Sequence, residues 1–203
     1  MRMIREERTL DIKLIALDMD GTILRDDKTI SKRNTEVLRA AQARGIILVP
    51  ATGRPKKMIP RPILDVGAIQ YAITSNGASA YDLEGDSVIY SNVMSEEQSI
   101  KLMDFLSDYT VFVEAYHDGL SYADKKKIPM IADFKDFPQE YIDFIMESQI
   151  FIDDMPGFLK KEKKCLEKVN LPYLEPELCT ELLDKLESTK EYTLSSHFSN
   201  YIE

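Results

Sequence analysis

Basic charge is scarce in this chain of 203 residues: 26 Lys and Arg stand against 35 Asp and Glu, a net charge of −9. Nucleic-acid binders leave a basic footprint, so this balance argues against that class, and equally against docking on anionic membranes. Cysteine is also sparse. Cys165 and Cys179 lie in separate segments without C-x-x-C spacing, which excludes a disulfide scaffold and reads as two reduced thiols in a cytoplasmic protein. No apolar run approaches the ~18 residues a membrane helix needs. Residues 1–11 are charged and lack the apolar stretch of a signal peptide, so they read as a polar extension. The two histidines, His117 and His197, have no partners at metal-ligand spacing. P-loop and dinucleotide fingerprints are absent.

Short apolar strands alternate with helices through the first half. Lys13–Leu17 reads as a strand buried on both faces. Ser31 caps a helix over 32–44 with Val37, Leu38 and Ala41 on its buried stripe, ended by Gly45. Residues 46–49 form a second strand. Pro60 and Pro62 shorten or delay the next helix, and 71–74 form a third strand ending at Ser75-Asn76-Gly77. This alternation predicts an α/β unit with a parallel sheet, whose strand C-termini share one edge. Ligands of such sheets bind at that edge, so Asp18, Thr52 and Asn76 are expected to converge there.

The pattern then changes. Hairpins are expected at 78–90 and 111–123, with helices at 96–107, near 139–149, 157–164 and 177–188. A strand at 168–173 and a last hairpin, 192–196 with 201–203, follow. All the strands of this half read as hairpins, so it is expected to be a separate α+β domain. The division is an extension at 1–11, a core at 12–92 and a second domain at 93–203.

The sharpest chemical signal is Asp18-Met19-Asp20-Gly21-Thr22, directly after the first strand. Paired carboxylates at a strand end are costly unless neutralised. Mg²⁺ suits such oxygens, and Gly21 permits a tight turn with its N–H offered to an anion. The bland alternative is an acidic turn. Ala51-Thr52-Gly53-Arg54 and Ser75-Asn76-Gly77-Ala78 follow the next two strands with matching chemistry.

Together these segments resemble the haloacid dehalogenase superfamily, in its Cof-type (subfamily IIB) phosphatase form. The pentad is similar to the first motif, 51–54 to the second, 75–78 to a Cof-type feature, and 195–203 to the last hairpin of an inserted α+β cap. The resemblance runs from about Lys13 to the end. It implies a partial Rossmann-like core with a cap, and a Mg²⁺-dependent phosphatase of small phosphorylated metabolites. Asp18 would be the nucleophile and Asp20 the general acid and base. Asp18 by its side chain and Asp20 by its carbonyl would hold Mg²⁺. Gly21, Thr52 and Gly53 would bind the phosphoryl oxygens, Asn76 would line the pocket, and Arg54 would pair either with substrate or with a core acid.

The family pattern also includes a lysine after the cap and a Gly-Asp-x-x-Asn-Asp-like loop, and neither is found in this sequence. Asp153-Asp154 reads instead as a solvated turn, and the lysine runs 125–127 and 160–164 as solvated faces. The chain is therefore expected to be a truncated family member, with weak activity or none by itself. The alternative function is a non-catalytic remnant that binds small ligands or self-associates through the exposed core, at the first-strand edge or a core face.

Overall fold

The computed structural model describes residues 11–131, 139–196 and 200–203. Strand β1 (Leu14–Asp18) runs parallel to β2 (Ile47–Ala51), and β2 runs parallel to β3 (Tyr71–Thr74). β4 (Ser79–Asp82) and β5 (Ser87–Ser91) extend the sheet antiparallel, in the order β1-β2-β3-β4-β5. Helix α1 (Lys32–Ala43) begins where the Ser31 hydroxyl accepts the Asn34 N–H, and the chain leaves it through Gly45 at φ 78°, a left-handed turn natural to glycine. Pro50 lacks an N–H and lies in β2 between an isolated Leu48–Ile69 bridge and the Ala51–Ile73 pair, where pairing with β3 is sparse. The expected proline-limited helix is α2, a single turn at Arg61–Leu64 entered through Pro60.

Two apolar layers cover the sheet. One gathers Met19, Ile23, Leu24, Ile59, Ile63 and Ala72; the other gathers Leu38, Leu48, Val66 and Ala68. Two expectations are corrected. β1 is not buried on both faces: it is an edge strand, its residues alternate between exposed and half-buried, and Leu14 is 52% exposed. A strand with one neighbour and one packed face reads in sequence like a buried one, because both are apolar runs. Val37 does not join the buried stripe of α1 and is 49% exposed; Leu38 alone in that helix is buried.

After β5 comes α3 (Glu96–Ser107), opened by a capping box in which Ser95 and Gln98 satisfy each other's backbone N–H. β6 (Glu114–His117) and β7 (Leu120–Asp124) form the expected hairpin. The chain then passes through α4 (Ile128–Ile131) and α5 (Gln139–Ser148) into β8 (Gln149–Ile152), which lies parallel to β7. This crossover corrects the expectation that this half contains only hairpins. Strand β8 follows α5 without a break, so apolar spacing alone runs the two together. Helix α6 (Met155–Glu162), β9 (Lys168–Asn170) and α7 (Pro176–Thr189) complete the second sheet, in the order β8-β7-β6-β9. The terminal hairpin is present where Ser195 and Glu203 exchange backbone bonds of 2.7 and 2.9 Å. His197 lies outside the described residues.

The two faces of this second sheet differ, as period-2 alternation requires. Ala115, Tyr122, Val169 and Leu171 pack with residues of α3, α6 and α7 into the largest apolar cluster. Glu114, Ser121, Gln149 and Asn170 belong to the opposite face, where Glu114 accepts hydrogen bonds from Gln149 (2.9 Å) and Asn170 (3.0 Å). Burial pushes the Glu114 carboxyl above its ordinary range. Leu182 sits at the centre of the apolar cluster with no exposed surface. Leu182→Ala is expected to cost about 2–5 kcal/mol and Val37→Ala a small fraction of that, as read by urea denaturation. Equal losses would contradict this packing.

Candidate functional site

The loop after β1 is built around a buried methionine. Met19 is fully buried, and its carbonyl accepts the N–H groups of Thr22, Ile23 and Leu24 at 3.3, 3.2 and 2.9 Å. Gly21 supplies the positive φ of 75° that the turn needs. Burying Met19 leaves Asp18 and Asp20, on either side of it, exposed at the sheet edge. Asp18 Oδ2 accepts the Thr22 hydroxyl at 2.6 Å.

Asp20 is held by two cations. Arg54 donates through Nε to Oδ2 at 2.8 Å and through Nη2 to Oδ1 at 2.9 Å, and Lys28 donates to Oδ1 at 2.8 Å. The Arg54 hydrogen bond, with that of Lys28 beside it, lowers the carboxyl from 3.8 to about 2, against an opposing contribution from burial. Arg54 thus takes the acid-pairing role of its two expected alternatives, and the acid is a residue of the motif itself. Lys28 reaches Asp20 from the turn at 25–29, where its own φ is 59°.

The second and third loops close onto each other. The Asn76 N–H donates to the Thr52 carbonyl at 3.2 Å and the Ser75 N–H to the Arg54 carbonyl at 3.0 Å. Asn76 adopts φ 55°, ψ 29°, a left-handed conformation that Asn tolerates better than most residues. Asp18 pairs with Ala51 in register, directly before Thr52. A Cβ at Gly53 would fall 2.6 Å from Asn76 Oδ1 and 3.3 Å from Lys168 Nζ, so only glycine leaves room for both. The expected convergence of Asp18, Thr52 and Asn76 is present, and Gly21, Gly53, Arg54 and Asp20 belong to the same edge.

Four residues that sequence reasoning did not place in the site also belong to it: Lys28, Phe144, Glu167 and Lys168. The Arg54 guanidinium lies 5.6 Å from the centre of the Phe144 ring on α5, within cation–π range. Glu167 accepts the Ser75 hydroxyl (2.6 Å), the Tyr81 hydroxyl (2.9 Å) and the Gly119 N–H (2.9 Å), joining the core loop to the β6–β7 turn. Burial, and then the Glu167 charge, raise the Tyr81 hydroxyl well above its ordinary value. Glu167 and Lys168 follow a lysine-rich stretch that reads as solvated, and no spacing rule marks them.

Among the described residues no three His, Cys, Asp or Glu side chains gather as a metal cluster. Asp18 offers a carboxylate with one oxygen engaged by Thr22, which fits a hard divalent cation as a partial ligand set. Asp154 caps α6 by accepting the Gly157 N–H, and His117 is bound through Nδ1 to the Cys165 carbonyl at 2.8 Å. A cavity of about 560 Å³ borders Asn76, Glu167, Lys168 and Glu203 but not Asp18 or Thr52.

A family model for haloacid dehalogenase-like hydrolases matches residues 15–203. The fold matches a haloacid dehalogenase-like hydrolase from Bacillus subtilis with a TM-score of 0.76 at 20% identity, covering 94% of this chain and 72% of that one. A subclass IIB sugar phosphatase of the superfamily matches with a TM-score of 0.69 at 21% identity, covering 94% and 68%. In sequence, the Bacillus subtilis 5-amino-6-(5-phospho-D-ribitylamino)uracil phosphatase YcsE is 38% identical over 77 residues, 38% of this chain and 31% of its own length. Curated relatives are matched over 31% to 51% of their length. The chain belongs to the haloacid dehalogenase-like hydrolases. Within them it is of the Cof type.

The depressed Asp20 value has a defined sign in stability. Its pairing favours the folded state above the unfolded value of 3.8, and that contribution is lost as pH falls toward 2. The stability gap between the wild type and Asp20→Asn should therefore close over that interval. Arg54→Met should return the Asp20 carboxyl toward 3.8 in a carbon-13 NMR titration. An unchanged titration would show that Arg54 does not set it.

Proposed function

We propose that the chain is a Mg²⁺-dependent phosphohydrolase of small phosphorylated metabolites, working through an aspartyl-phosphate on Asp18. The observation that carries this reading is the convergence of Asp18 with the Thr52–Gly53 and Asn76 loops at the C-terminal edge of a parallel sheet. Residues 12–92 would form the core and 93–203 the cap. The substrates named for two of the relatives, a phosphoribityl compound and sugar phosphates, support the substrate class. The two free thiols, one of them buried, suit a cytoplasmic setting. No helix of the described residues is long and apolar enough to cross a membrane.

In this reading an Asp18 oxygen attacks phosphorus, the bond to the leaving oxygen breaks, and that oxygen takes a proton. Water then attacks the phosphoryl group and frees Asp18. Thr52, Gly21 and Gly53 donate to the phosphoryl oxygens, and Asn76 borders them. Asp18 and the Asp20 carbonyl would hold Mg²⁺, which supplies charge neutralisation to the phosphoryl group. Asp20 is the proton carrier, yet a carboxyl held near 2 by Arg54 and Lys28 is a poor acid at neutral pH. A phosphoryl dianion competes for both cations. Substrate binding thus releases Asp20 to work as acid and base, and Arg54 changes partner from carboxylate to substrate.

Phosphoryl transfer depends on positioning and neutralisation. With one carboxylate side chain available to the cation among the described residues, turnover by this chain is expected to be slow. A second reading, a binding module that self-associates, is favoured by the edge strand β1, where Ile12, Leu14 and the adjacent Ile47 are 48%, 52% and 43% exposed. Sedimentation over a range of concentrations tests it: association is expected, and a monomer throughout would remove it.

Hydrolysis of p-nitrophenyl phosphate should be slow, Mg²⁺-dependent and abolished by Asp18→Asn. Turnover that survives the substitution would refute Asp18 as nucleophile. No turnover above that control would leave the second reading.

A further inference from the structure

We infer that Lys168, a residue of the cap, is a phosphate ligand that reaches the phosphoryl-binding loop of the core. The inference rests on the reading of Thr52–Gly53 as that loop. Lys168 starts β9, and its side chain is 7% exposed. Its ammonium lies 3.4 Å from the Gly53 carbonyl oxygen and forms an ion pair with Glu203. The first contact is long for an N–H···O bond, so it holds the ammonium weakly. The Tyr116 ring lies 5.8 Å away, within cation–π range. An ammonium has three donors, and the third has no acceptor among the described residues.

The position of this cation is built. The preceding residue, Glu167, is tied to Ser75, Tyr81 and Gly119, which fixes the start of β9 against the core. Gly53 has no side chain, and the space a Cβ would occupy is the point where Lys168 Nζ and Asn76 Oδ1 meet. Loop, carboxamide and ammonium thus surround one place, and the loop is the one whose N–H groups face an anion in the proposed reaction. A buried ammonium ion-paired with Glu203 and electrostatically coupled to Glu114 also serves as structure alone, and the two roles predict different responses at Glu203. If the pair is structural, removing either partner harms the site alike. If Lys168 is a phosphate ligand, Glu203 competes with phosphate for it, and its neutralisation frees the cation.

Inorganic phosphate binding, followed by phosphorus-31 NMR titration with circular dichroism as the check on folding, separates the two. Lys168→Met is expected to weaken binding at least about tenfold, Lys168→Arg to restore most of it, and Glu203→Gln to tighten it. Thr52→Val is the control for the loop. If Thr52→Val leaves phosphate binding unchanged, the reading of the loop fails and the inference falls with it. If Thr52→Val weakens binding while Lys168→Met does not, or if Glu203→Gln weakens binding as Lys168→Met does, the loop reading stands and Lys168 is a structural residue only. Should Lys168→Met not fold, the direction of the Glu203→Gln change decides.

Discussion

Two carboxylates with a single residue between them at the end of a strand repel each other, and the rest of the site is arranged around that fact. Met19 is driven into the core between them, so Asp18 and Asp20 are forced outward at the sheet edge. Arg54 and Lys28 then neutralise Asp20. Because Arg54 belongs to the loop after β2, neutralisation also ties the first motif to the second. The same arginine lies over Phe144 of α5, so a charge requirement at the edge of the first sheet becomes a contact with that helix. Among the described residues Asp18 bonds the Thr22 hydroxyl and no cation, and in the proposed reaction it is the carboxylate that meets phosphorus.

The junction between the two sheets follows similar logic. Glu167 is buried and accepts three donors, two from the core and one from the β6–β7 turn. A buried carboxylate must be satisfied in this way, since a lost donor there costs more than an ordinary hydrogen bond. Lys57 donates its backbone N–H to the Gly119 carbonyl at 2.9 Å, and a Cβ at Gly119 would strike Lys56 Cβ at 2.7 Å. Close backbone approach at one glycine and a satisfied acid beside it set the second sheet against the loops of the first.

The parts of this arrangement legible in sequence are those that leave a local mark. Apolar runs located β1, β2 and β3, Ser31 and Ser95 marked the starts of α1 and α3, and glycines with Asp and Asn marked the three loops. What escaped was set by tertiary context. β8 was fused to α5 because both are apolar, and the parallel β7–β8 pairing depends on a crossover that hairpin signals do not describe. Lys168 and Glu167 stand at the edge of a lysine-rich stretch and act through residues 35 to 115 positions away in sequence. Arg54 was legible as a site residue, but its choice of partner was not.

The central claim is that Asp18 is the phosphoryl acceptor and Asp20 is not. Acid-quench mass spectrometry of the protein turning over p-nitrophenyl phosphate with Mg²⁺ tests it most directly. The account predicts a single phosphoryl group on the peptide containing Asp18, absent in Asp18→Asn. A phosphoryl group on Asp20 or on any residue outside that loop, or turnover in Asp18→Asn, would contradict it.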